Sequence, residues 1–227
     1  MNLNIVRAVW KRDLRSWFGN PTGYVFIIMF VVFAAAALMF SAAFFNNNLA
    51  NLDTLNAPWF PVLAMVFVSA STMNIWASER SNGTQELLFT LPGSDFDLQL
   101  GKFLSAVSVY TISLAFTLVL PIALMILGNP DIGQLFANYI GYWLLGVMLV
   151  AVSMVGSQLT QNSTVALLLS ILLCAVVSYL GTCLGYLGFM SWETNGPIGQ
   201  FKLFAGGEIP VSGILLFVGL TIAFFYF

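Results

Sequence analysis

Ser94, Asp95 and Asp97 are the residues whose types and closeness most invite a chemical reading, as a nucleophile beside two acids or as the start of a metal site. Two positions apart on a helix the carboxylates diverge and cannot share a substrate proton. Ser94 three residues before Asp97 instead suits a helix N-terminus. Gly101-Lys102 is followed by Phe103 and lacks the earlier glycine of the G-x-x-x-x-G-K-[ST] loop, so the chain cannot hydrolyse ATP through that motif. Histidine is absent, which removes the commonest general base and the commonest metal ligand. Cys174 and Cys183 share one apolar run. Their helical separation is about 180° around and roughly 13 Å along the axis, too far for a disulfide. No catalytic group, metal site or cofactor site is expected in this chain.

The elements that carry these residues are membrane helices. The 227-residue chain is 59% hydrophobic, 15% aromatic and 7% charged, where soluble domains are roughly 25% charged. Charge-free runs cover residues 16 to 52, 54 to 78, 103 to 130, 132 to 192 and 209 to 227, and a helical crossing needs about 20 apolar residues. The pattern predicts an all-α integral membrane protein, one transmembrane domain over residues 1–227 with six spans. The first, about 24–45, is introduced by Asn20-Pro21-Thr22-Gly23 and closed by Asn46-Asn47-Asn48. The second is about 57–77, with polar Asn74 expected to face protein or the interface. The third, about 103–127, should kink at Pro121. The fourth and fifth, about 135–157 and 164–190, reverse through the polar stretch Gln158 to Ser163. Gly181, Gly185 and Gly188 in the fifth allow close packing or a break. The sixth is about 209–227.

Orientation follows from the basic residues, because retained cytoplasmic loops carry the excess of Lys and Arg. With six spans, Arg7, Lys11, Arg12, Arg15, Arg80 and Lys102 fall on one side and Lys202 alone on the other, which predicts cytoplasmic termini. Residues 3–18 read as a helix lying in the membrane interface: Leu3, Val6, Trp10, Leu14 and Trp17 make one stripe, and Arg7, Lys11, Arg12 and Arg15 another sector. The apolar run that follows, about 22 residues, is longer than the h-region of a signal peptide. The net charge of −2, without a basic block, gives no reason to expect nucleic acid. The spans hold no ionisable residue away from their ends, which argues against proton- or sodium-coupled transport and for energy supplied from outside the chain.

Residues 78–102 form the cytoplasmic loop between the second and third spans. Asn82 with Gln85 suits a capped helix start, with Glu86 in the first turn and a stop at Leu91 imposed by Pro92 and Gly93. Such a helix exposes Leu87, Leu88 and Leu91 on one side and is too short to stand alone. It either rests on the headgroup boundary or fits a groove on a cytoplasmic partner.

The stretch Glu79-Arg80-Ser81-Asn82-Gly83-Thr84-Gln85-Glu86-Leu87-Leu88-Phe89-Thr90-Leu91-Pro92, followed by Asp95 and Leu100-Gly101-Lys102-Phe103, resembles the first cytoplasmic loop of ABC type-2 exporter permeases. Asn20-Pro21-Thr22-Gly23-Tyr24 and Gln200-Phe201-Lys202-Leu203-Phe204-Ala205-Gly206-Gly207-Glu208-Ile209 are similar to segments of the gliding-motility-like branch. Two departures stand out: Gln200 replaces that branch's usual histidine, and its arginine near Gly206 is missing. The resemblance implies a permease of the bacterial inner membrane that pairs with a second copy or a close relative. It implies two partner ATPase subunits that hold ATP and Mg. Glu79, Asn82, Gly83, Thr84, Glu86, Leu87, Leu88 and Leu91 would form the ATPase-coupling element, beside the interfacial helix with Trp10, Lys11, Arg12, Arg15 and Trp17. Residues 191–208 resemble the extracellular re-entrant segment of such exporters, where Phe201 and Phe204 would gate the path or anchor at the interface. Two other readings stay open, a haem-exporter permease of cytochrome c maturation and a membrane scaffold that recruits a partner without transport.

Overall fold

The computed structural model describes residues 2–39, 52, 55–84, 94–128, 130–188 and 190–226, and among them no strand occurs. Eleven α-helices are described: α1 (Leu3–Gly19), α2 (Pro21–Met39), α3 (Phe60–Thr72), α4 (Asn74–Ser81), α5 (Asp95–Phe116), α6 (Val119–Leu127), α7 (Ile132–Gln158), α8 (Ser163–Tyr186), α9 (Met190–Asn195), α10 (Pro197–Ala205) and α11 (Val211–Tyr226). A single π-helical turn, Leu55–Trp59, leads into α3. Among the described residues, four stretches are long and apolar enough to cross a membrane: Phe60–Ser81, Asp95–Ile126, α7 and α8. Leu3–Gly19 and Gly23–Met39, bent by 75°, make a fifth if taken together. The expected sixth span appears as α11, whose 16 residues extend about 24 Å, short of a hydrocarbon core of about 30 Å. The far end of the expected first span, residues 40–45, and its Asn46-Asn47-Asn48 border lie outside the described residues.

α7 is the hub, 83% buried over its apolar window where α8 is only 22% buried. In lipid, helix association rests on close van der Waals contact, and α7 carries the small residues that permit it. A Cβ on Gly146 would sit 2.0 Å from the Tyr110 ring, one on Gly141 2.7 Å from Phe204, and one on Gly156 2.4 Å from the Ser170 hydroxyl. Asp131 and Asn162 cap α7 and α8 through backbone N–H groups of Gly133 and Thr164 at 2.8 and 3.0 Å. Cys174 is buried, Cys183 exposed, and both are free.

Two spans break where a side chain answers the interrupted backbone. Pro121 gives no N–H to the Thr117 carbonyl; the helix breaks between α5 and α6, and the Tyr139 hydroxyl donates to that carbonyl at 2.9 Å. This is the expected kink. Between α3 and α4 the cause is Ser157, whose hydroxyl accepts from the Trp76 and Ala77 N–H groups at 3.1 and 3.3 Å and donates to the Met73 carbonyl at 3.0 Å. A side chain wedged into the helix ladder in this way bends it. Ser157→Ala is expected to cost about 1–3 kcal/mol through the buried backbone groups it leaves unanswered, read as a lower thermal unfolding midpoint in detergent.

The third span starts earlier than its hydropathy indicates. Residues 95–102, expected in the loop between spans with a helix start at Ser94, form the first two turns of α5, and the Ser94 hydroxyl accepts from the Asp97 N–H at 3.3 Å. α1 lies against them. A Cβ on Gly101 would be 2.8 Å from Val9, Trp10 donates through Nε1 to the Ser108 hydroxyl at 2.9 Å, and the Asn2 N–H reaches Asp97 Oδ2 at 3.1 Å. Of the apolar stripe expected at the interface, Val6 is buried, Trp10, Leu14 and Trp17 are half-buried and Leu3 is exposed; Val9, outside that stripe, is buried as well, and Arg7, Lys11, Arg12 and Arg15 are exposed.

Candidate functional site

The candidate site is the bundle end that carries α1, α4 and the start of α5. α4 ends at Ser81, at the point where a capped loop helix was expected to begin, but Asn82 does not start that helix. Asn82 is its C-cap, in αR geometry at φ −88° and ψ −3°, not the extended geometry of an N-cap. Its N–H donates to the Ser78 carbonyl at 3.0 Å. Gly83, at φ +67°, ends the helix in the left-handed region that favours glycine. Thr84 donates through its hydroxyl to the Glu79 carbonyl at 3.3 Å. Glu86, Leu87, Leu88 and Leu91, with Gln85, Pro92 and Gly93, lie outside the described residues.

Glu79 is the centre of this end. One carboxylate oxygen meets Lys102 Nζ at 2.6 Å, an ionic contact without the angles of a hydrogen bond, and the other accepts from Arg12 at 3.1 Å. The Lys102 side chain is only 2% exposed. It also donates to the Ile75 carbonyl at 2.8 Å and lies 4.5 Å from the centre of the Trp76 ring. A buried ammonium is tolerable only when paired and hydrogen-bonded, and here a carboxylate, a carbonyl and a ring face share it. Arg12 bonds Asp13 as well, at 2.8 Å. Desolvation weakens the Arg12 cation, but the carboxylates of Asp13 and Glu79 more than offset it and hold its pKa above the ordinary arginine value. Arg80 donates to the Gln158 carbonyl. α4 is therefore tied to α1 through Arg12, to α5 through Lys102, and to α7 through Ser157 and Arg80.

The arrangement joins the ends of four helices through two ion pairs, the Arg80 contact and the Ser157 hydrogen bonds. The sequence reading gave Glu79, Arg12 and Lys102 separate places. The signal that they converge is their common sidedness: Glu79 ends one span and Lys102 opens the next, so an antiparallel pair brings them level.

At the opposite end the residues expected as a re-entrant segment form two short helices, α9 packed on α8 and α10 packed on α7 and α8. Gly188, at φ +101°, terminates the backbone after α8. Gly181 and Gly185 admit α9 closely, with Cβ positions 2.6 Å from the Trp192 carbonyl and 2.8 Å from Glu193. Phe201 and Phe204 are 1% and 0% exposed, so they are not interfacial anchors. Phe201 stacks over Tyr142 and Phe60, with ring centroids 5.9 and 6.3 Å away, and those two rings stack at 3.7 Å. Gln200 holds α10 in place, donating to the Thr194 carbonyl and accepting from the Ser212 hydroxyl, both at 3.1 Å.

A comparison with curated protein sequences finds no match. The model of the family described as ABC-2 family transporter protein matches residues 21–227, which takes in every helix from α2 onward, with Glu79 and Lys102, and leaves out α1 with Arg12 and Asp13. With several helices able to cross a membrane, a polar segment bound into one end and a folded-back helix pair at the other, the chain belongs to the ABC-2 family of transporter proteins.

Proposed function

We propose that this chain is the permease subunit of an exporter driven by ATP hydrolysed in two separate ATPase subunits, and that it works beside a second copy or a close relative. In this reading six helices cross a bacterial inner membrane with both termini cytoplasmic, α1 lies in the interface, and the arrangement follows the gliding-motility-like branch. The observation that carries it is the anchoring of α4. The polar segment leads directly from Glu79, held by Lys102 and Arg12 at 2.6 and 3.1 Å, into residues 84–91. A partner gripping Leu87, Leu88 and Leu91 would pull on a lever already joined to three other helices. At the far end α10, with Phe201 and Phe204, would close the path.

The test is charge placed on the docking face. Leu88→Asp and Leu91→Asp are each expected to cost about 2 kcal/mol or more in ATPase association, at least about 30-fold in affinity, and to abolish substrate-stimulated ATP turnover in proteoliposomes. Association and turnover equal to wild type would refute the coupling role. An ATPase rate indifferent to every candidate substrate, with no translocation, would favour the scaffold reading.

A further inference from the structure

Beneath the elbow of α1 and α2, at the same bundle end as Glu79, lies a cavity of about 500 Å³ between α1, α3, α4 and α5. Its volume is that of a ligand pocket, and its walls grade from charged to apolar. Arg12, Asp13 and Glu79 stand at one end, with Phe26, Ala70 and Ala106 also in the wall. Ala106 is one turn, about 6 Å, further into the third span than Lys102, and Ala70 lies in α3, before the break that leads to Glu79. The cavity therefore leads from the charged bundle end toward the apolar interior of the spans.

The charges that face this space are balanced. Lys102, at 2% exposure, is sequestered and offsets Glu79, which is itself 14% exposed. A ligand meets chiefly Arg12, 48% exposed, and Asp13, 20% exposed. One accessible cation beside one accessible carboxylate suits a zwitterion better than an anion. Asn74 supplies an independent pointer. It lines the cavity, it is exposed, and its side-chain amide has no partner among the described residues. Its amide is open to the cavity and can donate to or accept from a polar ligand there.

We propose that this cavity binds a zwitterionic aminophospholipid taken from the adjacent leaflet. The phosphate sits against the Arg12 guanidinium in a charge-assisted contact, with the Asn74 amide as a further donor. The ammonium sits against Asp13, and the first acyl carbons lie along Phe26, Ala70 and Ala106. The site rests on the cavity and not on ATP-driven transport, so it stands or falls separately from the proposed function.

The experiment is native mass spectrometry of the full chain in mild detergent, with phosphatidylethanolamine and phosphatidylglycerol of matched chains added in competition. Retention of phosphatidylethanolamine is expected to exceed that of phosphatidylglycerol by about tenfold, the scale of one charge-assisted contact. Asp13→Asn and Asn74→Leu should each lower it several-fold. Asn74→Leu stands clear of the ion pairs, so it remains informative even if Asp13→Asn unfolds the protein. Soluble glycerophosphoethanolamine at the same concentration should not displace the lipid. Equal retention of the two lipids, a preference for phosphatidylglycerol, undiminished binding to Asn74→Leu, or displacement by the soluble headgroup would each overturn the assignment.

Discussion

Glu79→Ala is expected to destabilise the protein by about 3–5 kcal/mol, the cost of leaving a buried charge without its partner, and to uncouple ATP turnover from transport. The asymmetry of the cluster sets the size of the effect. Lys102 is 2% exposed and loses its ion-pair partner when Glu79 is gone, which leaves the Ile75 carbonyl and the Trp76 ring to hold an ammonium in the wall of the cavity. Arg12 is half exposed and keeps Asp13 at 2.8 Å; removing it should cost no more than about 1 kcal/mol, as for a surface ion pair. The double variant Glu79→Gln with Lys102→Met removes both buried charges and should recover most of the lost stability. Thermal unfolding of the three variants in detergent checks the ranking. The uncoupling needs a second measurement, because a merely structural ion pair would leave the ratio of transport to ATP turnover unchanged in the double variant. If Glu79 transmits displacement from the coupling segment to α1 and α5, the double variant regains stability without regaining that ratio.

The spans are legible in the sequence because their composition answers a single demand, a solvent without water. The Pro121 kink and the Ser94 cap are legible for a similar reason: each depends on residues within one turn. The misplaced boundaries are the ones where a distant contact prevails over local preference. Asn82 has the side chain of an N-cap, yet Ser157 and Arg80 hold α4 to α7, and Asn82 becomes the C-cap of that helix with Gly83 turning the chain out of it. That the helix begun at Ser94 continues unbroken into the third span is what hydropathy did not indicate: α1 covers one side of residues 95–102, and Gly101 allows the backbones to approach. Phe201 and Phe204 have the types of either an anchor or a plug, and only the fold-back of α10 onto α7 decides between a surface and an interior position. The Glu79 cluster was legible as three separate charges; that they form one site depends on how α1 crosses α5, which hydropathy does not encode.

Phe201→Ala is expected to be the most damaging apolar truncation at the other end, at about 3–5 kcal/mol. Phe201 closes a stack that continues through Tyr142 to Phe60, and Tyr142 in turn bonds the Asn56 side chain and accepts from the Tyr110 hydroxyl at its carbonyl, 2.7 Å away. Removing the ring therefore opens space beside a hydrogen-bonded network that cannot shift to fill it, because Gly146 already lies under Tyr110. Phe201→Leu keeps most of the volume and should cost less than about 1.5 kcal/mol. The pair separates packing from closure. If α10 caps a path, proteoliposomes carrying Phe201→Ala should leak a small ion without ATP, while those carrying Phe201→Leu, nearly as stable as wild type, should leak little. A Phe201→Ala protein that is destabilised yet stays tight would make the aromatic stack a structural weld of α10 to α7 and place the closure of any path elsewhere.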